Sequence, residues 1–224
     1  WTFNSESSLL QWVKLDITDN IPPARVYHSA GVCHYGGANG MMVIFGGRKK
    51  DGAFMNDMWG LRRHRNGQWD WMKAPFKGTP KDRVQHSSLF CGQFFINIGG
   101  RSTSTGDNLP IEVYDTESSE WTEFTTFKRF RHSAFLYENY LYIQGGLEDD
   151  KHNNPAKVLN EINLLDLFQS NTTIYNKIKT YLNKKSNDSS SVQSSSFDNR
   201  PGVGETGDGK QQKDITVSDK AVIA

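Results

Sequence analysis

The stretches Ala24-Arg-Val-Tyr-His-Ser-Ala30 and Ala38-Asn-Gly-Met-Met-Val-Ile-Phe-Gly-Gly-Arg48 decide the fold, because their marks return twice more along the chain. Arg-x-x-His-Ser occurs at Arg25–Ser29, Arg83–Ser87 and Arg129–Ser133. Each copy is followed by a short apolar run ending in a glycine pair, Gly46-Gly47, Gly99-Gly100 and Gly145-Gly146. A strand with an acidic or Asn lead comes next: Asn56-Asp57-Met58-Trp59, Ile111-Glu112-Val113-Tyr114-Asp115, and Asn160 to Leu167. Trp-x-x-hydrophobic closes the unit at Trp71–Ala74 and Trp121–Phe124, and Trp12–Leu15 fits the same slot one repeat earlier. The glycine pairs begin at 46, 99 and 145, a period of 53 and then 46 residues.

That order of marks at that period resembles the kelch repeat, in which four short antiparallel strands make one twisted blade. Met41 to Phe45 is apolar without alternation, which fits an inner strand covered on both faces by neighbouring blades. The glycines allow sharp turning and close packing, and the Trp of the outer strand offers apolar area to the next blade. A blade cannot bury both faces alone, so blades lean on one another around a ring. The fold class expected is all-β: a partial kelch β-propeller, about three of six four-stranded blades, over residues 1–167. A linker with a possible short helix follows over 168–185, and a disordered tail over 186–224. The start at Trp1 reads as the interior of a longer protein, with the other blades upstream.

Several longer stretches are more specific than the general kelch pattern. They are the two opening quotations, Asn56-Asp-Met-Trp-Gly-Leu-Arg-Arg-His-Arg-Asn-Gly-Gln-Trp-Asp-Trp-Met-Lys-Ala-Pro75, Leu109-Pro-Ile-Glu-Val-Tyr-Asp-Thr-Glu-Ser-Ser-Glu-Trp121 and Arg129-Phe-Arg-His-Ser133. Together they resemble the kelch-repeat Ser/Thr protein phosphatases, the PPKL type, which include the plant brassinosteroid-signalling phosphatases and relatives in alveolate parasites. The resemblance covers Ala24 to Gly146. It implies a propeller, a polar linker and a C-terminal metallophosphatase domain holding two metal ions, manganese or iron. The metallophosphatase signatures Gly-Asp-x-His-Gly, Gly-Asp-x-x-Asp-Arg-Gly and Gly-Asn-His-Glu do not occur in this sequence. No catalytic residue, cofactor or metal ligand is therefore expected in this chain. The alternative reading is the kelch substrate-receptor region of a ubiquitin-ligase adaptor. An enzyme built on the propeller itself would need a converging Tyr, His and Cys set, which the repeats do not supply.

The candidate binding residues are Arg25, Arg83 and Arg129, with Arg48 and Arg101 after the glycine pairs. Kelch propellers that bind peptides present such positions at one mouth of the ring, and guanidinium groups there suit acidic or phosphorylated peptides. Bracing of loops through backbone carbonyls is the competing role. His28, His86 and His132 recur one per blade, which separates them too far to share a metal and predicts a repeated structural hydrogen bond inside each blade. Arg62-Arg63-His64-Arg65 reads as the start of a solvated turn ending at Asn66-Gly67.

Composition narrows the partners. The formal charge of the 224 residues is +1, which argues against nucleic acid and anionic membranes, and no apolar run approaches the roughly 20 residues of a membrane span. Partners expected are proteins or phosphopeptides, the parent's own phosphatase domain and a second copy of the chain, in the cytoplasm and/or nucleus. Cys33 and Cys91 occupy equivalent places in different blades and read as buried, reduced thiols. Beyond Leu167, Ile174, Ile178 and Leu182 fall at helical spacing, with Thr172 or Thr173 as a cap; a transient linker helix competes with a stable one.

Overall fold

A computed structural model describes residues 2–4, 11–149, 155–156 and 158–194. Strands β1 (Thr2–Asn4) and β2 (Gln11–Val13) form a two-stranded antiparallel sheet. β3 (Ser29–Val32), β4 (Met42–Phe45), β5 (Met58–Arg63) and β6 (Trp69–Lys73) form the first complete blade, in that order. β7 (Ser87–Cys91), β8 (Phe94–Ile98), β9 (Leu109–Asp115) and β10 (Glu120–Phe127) form the second. β11 (Ser133–Tyr137), β12 (Tyr140–Gln144) and β13 (Asn160–Asn163) form a three-stranded third blade. The kelch blades expected from the repeats are present, all antiparallel and joined strand to neighbouring strand.

Side-chain alternation sends each inner strand's residues to two seams. Val43 and Phe45 of β4 pack with Phe95 of β8 between the first two blades. Phe94, Ile96 and Ile98 of β8 point the other way and join Leu141 and Ile143 of β12. All five residues of β8 are buried, as an inner strand walled on both sides requires. The outward face of the third blade has no such cover among the described residues. Phe135 stacks on Tyr142 at 5.2 Å, and Phe135 and Tyr137 stay about half exposed. Trp121 of β10 packs against the preceding blade rather than the next, with its ring 5.1 Å from that of Phe45.

The segment after β12 departs from a simple strand. Asn160 to Leu167 was expected as a strand, but it splits into β13 and α1 (Leu164–Phe168). The side chain of Asn163 accepts from the backbone N–H groups of Leu165 and Asp166, which starts the helix, and Leu164 and Phe168 then share a buried face. α2 (Thr172–Ser194) follows. Its cap is Asn171, whose Oδ1 accepts from Ile174 N at 3.1 Å; neither threonine proposed for that role supplies it. Ile174, Ile178 and Leu182 are buried in the same apolar cluster as the second and third blades, so the helix is part of the packed core. It continues past Ser186, where the polar tail was expected to begin. Residues 195–224, on which the rest of that expectation falls, lie outside the described residues.

The second glycine of each pair lies against the Arg-x-x-His segment of its own blade, while Gly46 and Gly99 lie against the arginine carbonyl of the next. Gly100 has φ +96, and a Cβ there would lie 2.7 Å from His86 Cβ and 2.8 Å from Val84 O. Gly52 has a similar φ of +93 but open space around it. Gly52→Ala is expected to lower stability by about 1 kcal/mol and Gly100→Ala by about 2–4 kcal/mol. Urea midpoints with unchanged slopes measure both, and equal losses would show that the dihedral alone matters at Gly100.

Candidate functional site

Two backbone links, each seen twice, repeat around the blades and define one end of them. Gly47 N donates to Arg83 O at 2.9 Å and Gly100 N to Arg129 O at 2.7 Å. Gln85 N donates to Tyr27 O at 3.0 Å, and Arg131 N to Gln85 O at 2.8 Å. Tyr27, Gln85 and Arg131 each adopt a left-handed conformation, φ 62, 58 and 56, at the residue just before the repeated His. No residue-type signal marks these positions, since Tyr, Gln and Arg all disfavour that region. The strain is tolerated because each residue is pinned to the adjacent blade.

The five arginines separate into two sets. Arg83 is wholly buried; it donates to Gly99 O at 2.9 Å, Pro110 O at 3.0 Å and Glu112 Oε2 at 2.8 Å. Arg25 makes a two-pronged pair with Asp57 at 2.7 and 3.1 Å and also donates to Gly46 O. Arg129 donates to Glu148 Oε1 at 2.7 Å and to Val158 O at 3.0 Å. Arg25 and Arg83 hold the Gly-Gly turn to the start of the third strand, and Arg129 ties the end of β12 to the segments at Glu148 and Val158, the bracing role the repeats left open. Their guanidinium groups are enclosed and occupied, and none is presented to a ligand. Their acidic partners were missed as partners, although Asp57 and Glu112 recur 32 and 29 residues after their arginines, a spacing visible in the repeats.

Arg48 and Arg101 lie outside that brace, at equivalent places one blade apart, each at a bridge following its glycine pair. Arg48 is exposed and stands over the ring of Tyr27 at 5.5 Å. Arg101 stands over Phe130 at 4.8 Å and pairs with Asp107 at 3.6 Å. Arg131, exposed at the same end, is held by Gln85: with the amide oxygen turned toward it, Nε and Nη2 donate at 3.1 and 3.2 Å. Lys49 and Lys50 line a shallow, open depression of about 560 Å³ beside Arg48, with Pro23, Ala24 and Asp51. The result is a rim of partly pre-oriented cations backed by aromatic surface, which can hold carboxylates or phosphate groups without burying a charge.

Of the repeated histidines, His86 makes its side-chain hydrogen bond across blades rather than inside its own. Ser29 Oγ lies 2.6 Å from His86 Nε2 and 2.6 Å from Ser88 Oγ, which donates to Asn97 Oδ1. Burial depresses His86 well below the ordinary histidine value, and burial with the nearby Arg129 lowers His132 to about 4. His28, in the first complete blade, remains exposed. Among the described residues no three His, Cys, Asp or Glu side chains are placed to hold a metal ion. Cys33 and Cys91 are free and buried, and burial raises the Cys91 thiol to about 12. The Arg62–Arg65 run lies partly on β5; His64 begins the turn and pairs with Asp70 at 2.7 Å, while Arg63 covers Trp69 at 5.9 Å. No helix among the described residues is long and apolar enough to cross a membrane.

Blades of four antiparallel strands, tied by glycine pairs and capped at one end by arginines, define a kelch-repeat β-propeller region. Residues 1–200 match the family model described as the KLHDC2/KLHL20/DRC7 Kelch-repeats domain. The chain belongs to that family of protein-interaction domains. It is also similar to "Serine/threonine-protein phosphatase BSL2" of Arabidopsis thaliana, 24% identical over 174 residues, 66% of this chain and 16% of that protein. Kelch domain-containing protein 3 of Homo sapiens is 31% identical over 151 residues, 61% of this chain and 37% of the relative. Spermatocyte protein spe-26 of Caenorhabditis elegans is 23% identical over 150 residues, 63% of this chain and 25% of the relative. The chain thus matches well under half the length of each.

Two stability outcomes follow from the brace and the histidines. Burial pushes the Glu112 carboxyl up, offset in part by Arg83. Arg83→Met would leave that carboxylate buried without its partner, so a loss of about 3–5 kcal/mol is expected, partly recovered by adding Glu112→Gln. Chemical denaturation of the single and double variants measures this, and no recovery would contradict the pairing.

For His132 the unfolded chain binds a proton below 6.5, whereas the folded one resists it until about 4. Stability from this group is therefore full above pH 6.5 and falls as pH drops through that window, by on the order of 3 kcal/mol. Glu112, shifted up, opposes this modestly. A urea midpoint that declines across the window in the parent and less in His132→Gln checks the assignment.

Proposed function

We propose that this chain is the recognition part of a Ser/Thr protein phosphatase, and that its arginine rim takes an acidic or phosphorylated segment of a protein partner. The observation that carries the rim reading is the division of the arginines. Arg25, Arg83 and Arg129 are consumed by bracing, while Arg48, Arg101 and Arg131 gather at one end with their guanidinium groups oriented by Tyr27, Phe130 and Gln85. Similarity to the plant phosphatase over 174 residues supports the wider context. In that context hydrolysis, with its two manganese or iron ions, belongs to a separate domain of the parent protein. The rim selects what that domain meets, in the cytoplasm or nucleus. The parent's phosphatase domain and a second copy of the chain are further partners this reading allows.

Fluorescence anisotropy with a phosphoserine peptide flanked by acidic residues tests the rim. Reversing Arg48 and Arg101 together to Glu is expected to weaken binding at least about tenfold, with weaker salt dependence and an unchanged melting midpoint. Equal affinity of parent and double variant would overturn the rim reading.

A further inference from the structure

Strand direction places the rim and the hairpin turns at opposite ends of the blades. β7 and β8 meet at Gly92-Gln93, run as five-residue strands about 17 Å long, and leave β8 at the rim glycines Gly99-Gly100. The chain after β13 retraces the blades in reverse order across the hairpin end. Leu164 N donates to Asn139 O at the β11–β12 turn of the third blade, at 2.9 Å. Lys177 then donates to Asp115 Oδ2 at 2.9 Å and Glu117 Oε2 at 3.3 Å at the β9–β10 turn of the second. Gln93, in the β7–β8 turn, donates to the same two carboxylates at 2.7 and 2.8 Å. Tyr181 lies against Gly92, where a Cβ would come within 3.1 Å of its ring, and meets Tyr35 of the first complete blade edge-on at 5.2 Å.

We infer that α1 and α2 form a strap that ties the hairpin ends of three successive blades together. The contacts have the composition a strap needs. Ile174, Ile178 and Leu182 supply the apolar teeth, buried with Cys91 and Phe94. Lys177, whose protonated form the two carboxylates favour, fixes the register of the helix on the second blade. Tyr181 spans the seam to the first. The exposed side of the helix carries Asn176, Lys179, Asn183 and Lys184 and takes no part in the contact. Blades are linked at the rim by backbone bonds, and at the hairpin end the strap supplies a second line of attachment. The strap stands independently of any ligand at the rim.

Amide hydrogen exchange on the full chain tests it with Tyr181→Ala and Lys177→Gln, both at partly exposed positions that need not disturb the core, and Lys184→Gln as control. Tyr181→Ala is expected to speed exchange about fivefold to tenfold at the hairpin turns of the first two blades, residues 33–41 and 92–94. Lys177→Gln is expected to act at 92–94 and 115–119. In both, the rim loops 46–54 and 99–108 keep their protection and Lys184→Gln changes none of these segments. Faster exchange confined to α2, or an equal rise at hairpins and rim, would overturn the strap.

Discussion

The close approach of each glycine pair to the Arg-x-x-His segment of the next blade is the constraint on which the fold rests. Gly47 donates to Arg83 O while its neighbour Gly46 sits where a Cβ would fall 2.6 Å from that same oxygen. The second seam repeats this with Gly99, Gly100 and Arg129. One carbonyl is thus a close contact point between blades, and a side chain at Gly46 or Gly99 would hold the blades apart. The distance set there decides whether Phe45 and Phe95, or Ile96 and Leu141, can close over the seam. Apolar burial supplies the driving force, at about 25 cal/mol per Å², but it acts only if the backbones come this near.

The buried charge in this arrangement follows from the same constraint. Turning the chain at Gly-Gly leaves carbonyls of Gly46 and Gly99 facing inward, and Arg25 and Arg83 each reach their own blade's glycine oxygen while pairing with the acid at the third strand, Asp57 and Glu112. A lysine, with its compact ammonium, could not span carbonyl and carboxylate together. The cost of burying Arg83 and Glu112 is offset in part by the bonds from Arg83 to Gly99 O, Pro110 O and Glu112 and from Lys81 N to Glu112. Repetition of the arginine is therefore a structural signature. Arg48 and Arg101, one step beyond, extend past the glycines instead of back beneath them.

Most of the β architecture was legible because its causes are local and repeated. Glycine pairs, unalternating apolar runs and outer tryptophans each recur at one period, and the blades appear where they say. Two things were harder to read. A positive φ at Tyr27, Gln85 and Arg131 comes from neighbours on another blade, so nothing in those residue types announces it. The role of α2 was equally hidden: three apolar residues at helical spacing describe both a transient helix and a docked one. The difference lies in Asp115, Glu117, Gly92 and Tyr35, up to about 140 residues distant in sequence and brought together only by the folded blades. The arginines were ambiguous for a related reason, since only the paired acid at fixed spacing separates a brace from a binding group.

The two ends of the blades also differ in what they demand of a ligand. At the hairpin end, Lys177, Tyr181 and three apolar side chains already satisfy the exposed turns, and a partner there would have to displace contacts made within the chain. At the rim, Arg48 and Arg101 rest over aromatic rings, and under the proposed rim reading an anionic group would meet them without displacing the helix. An effective concentration far above that of any free competitor favours the tethered helix at its own end. The geometry of the rim is inherited from the blade-to-blade bonds at Tyr27, Gln85 and Arg131, which place one rim residue beside the next. Spacing between neighbouring cations is then a property of the seams, and in the proposed rim reading it would follow from the same close approach that lets the blades pack.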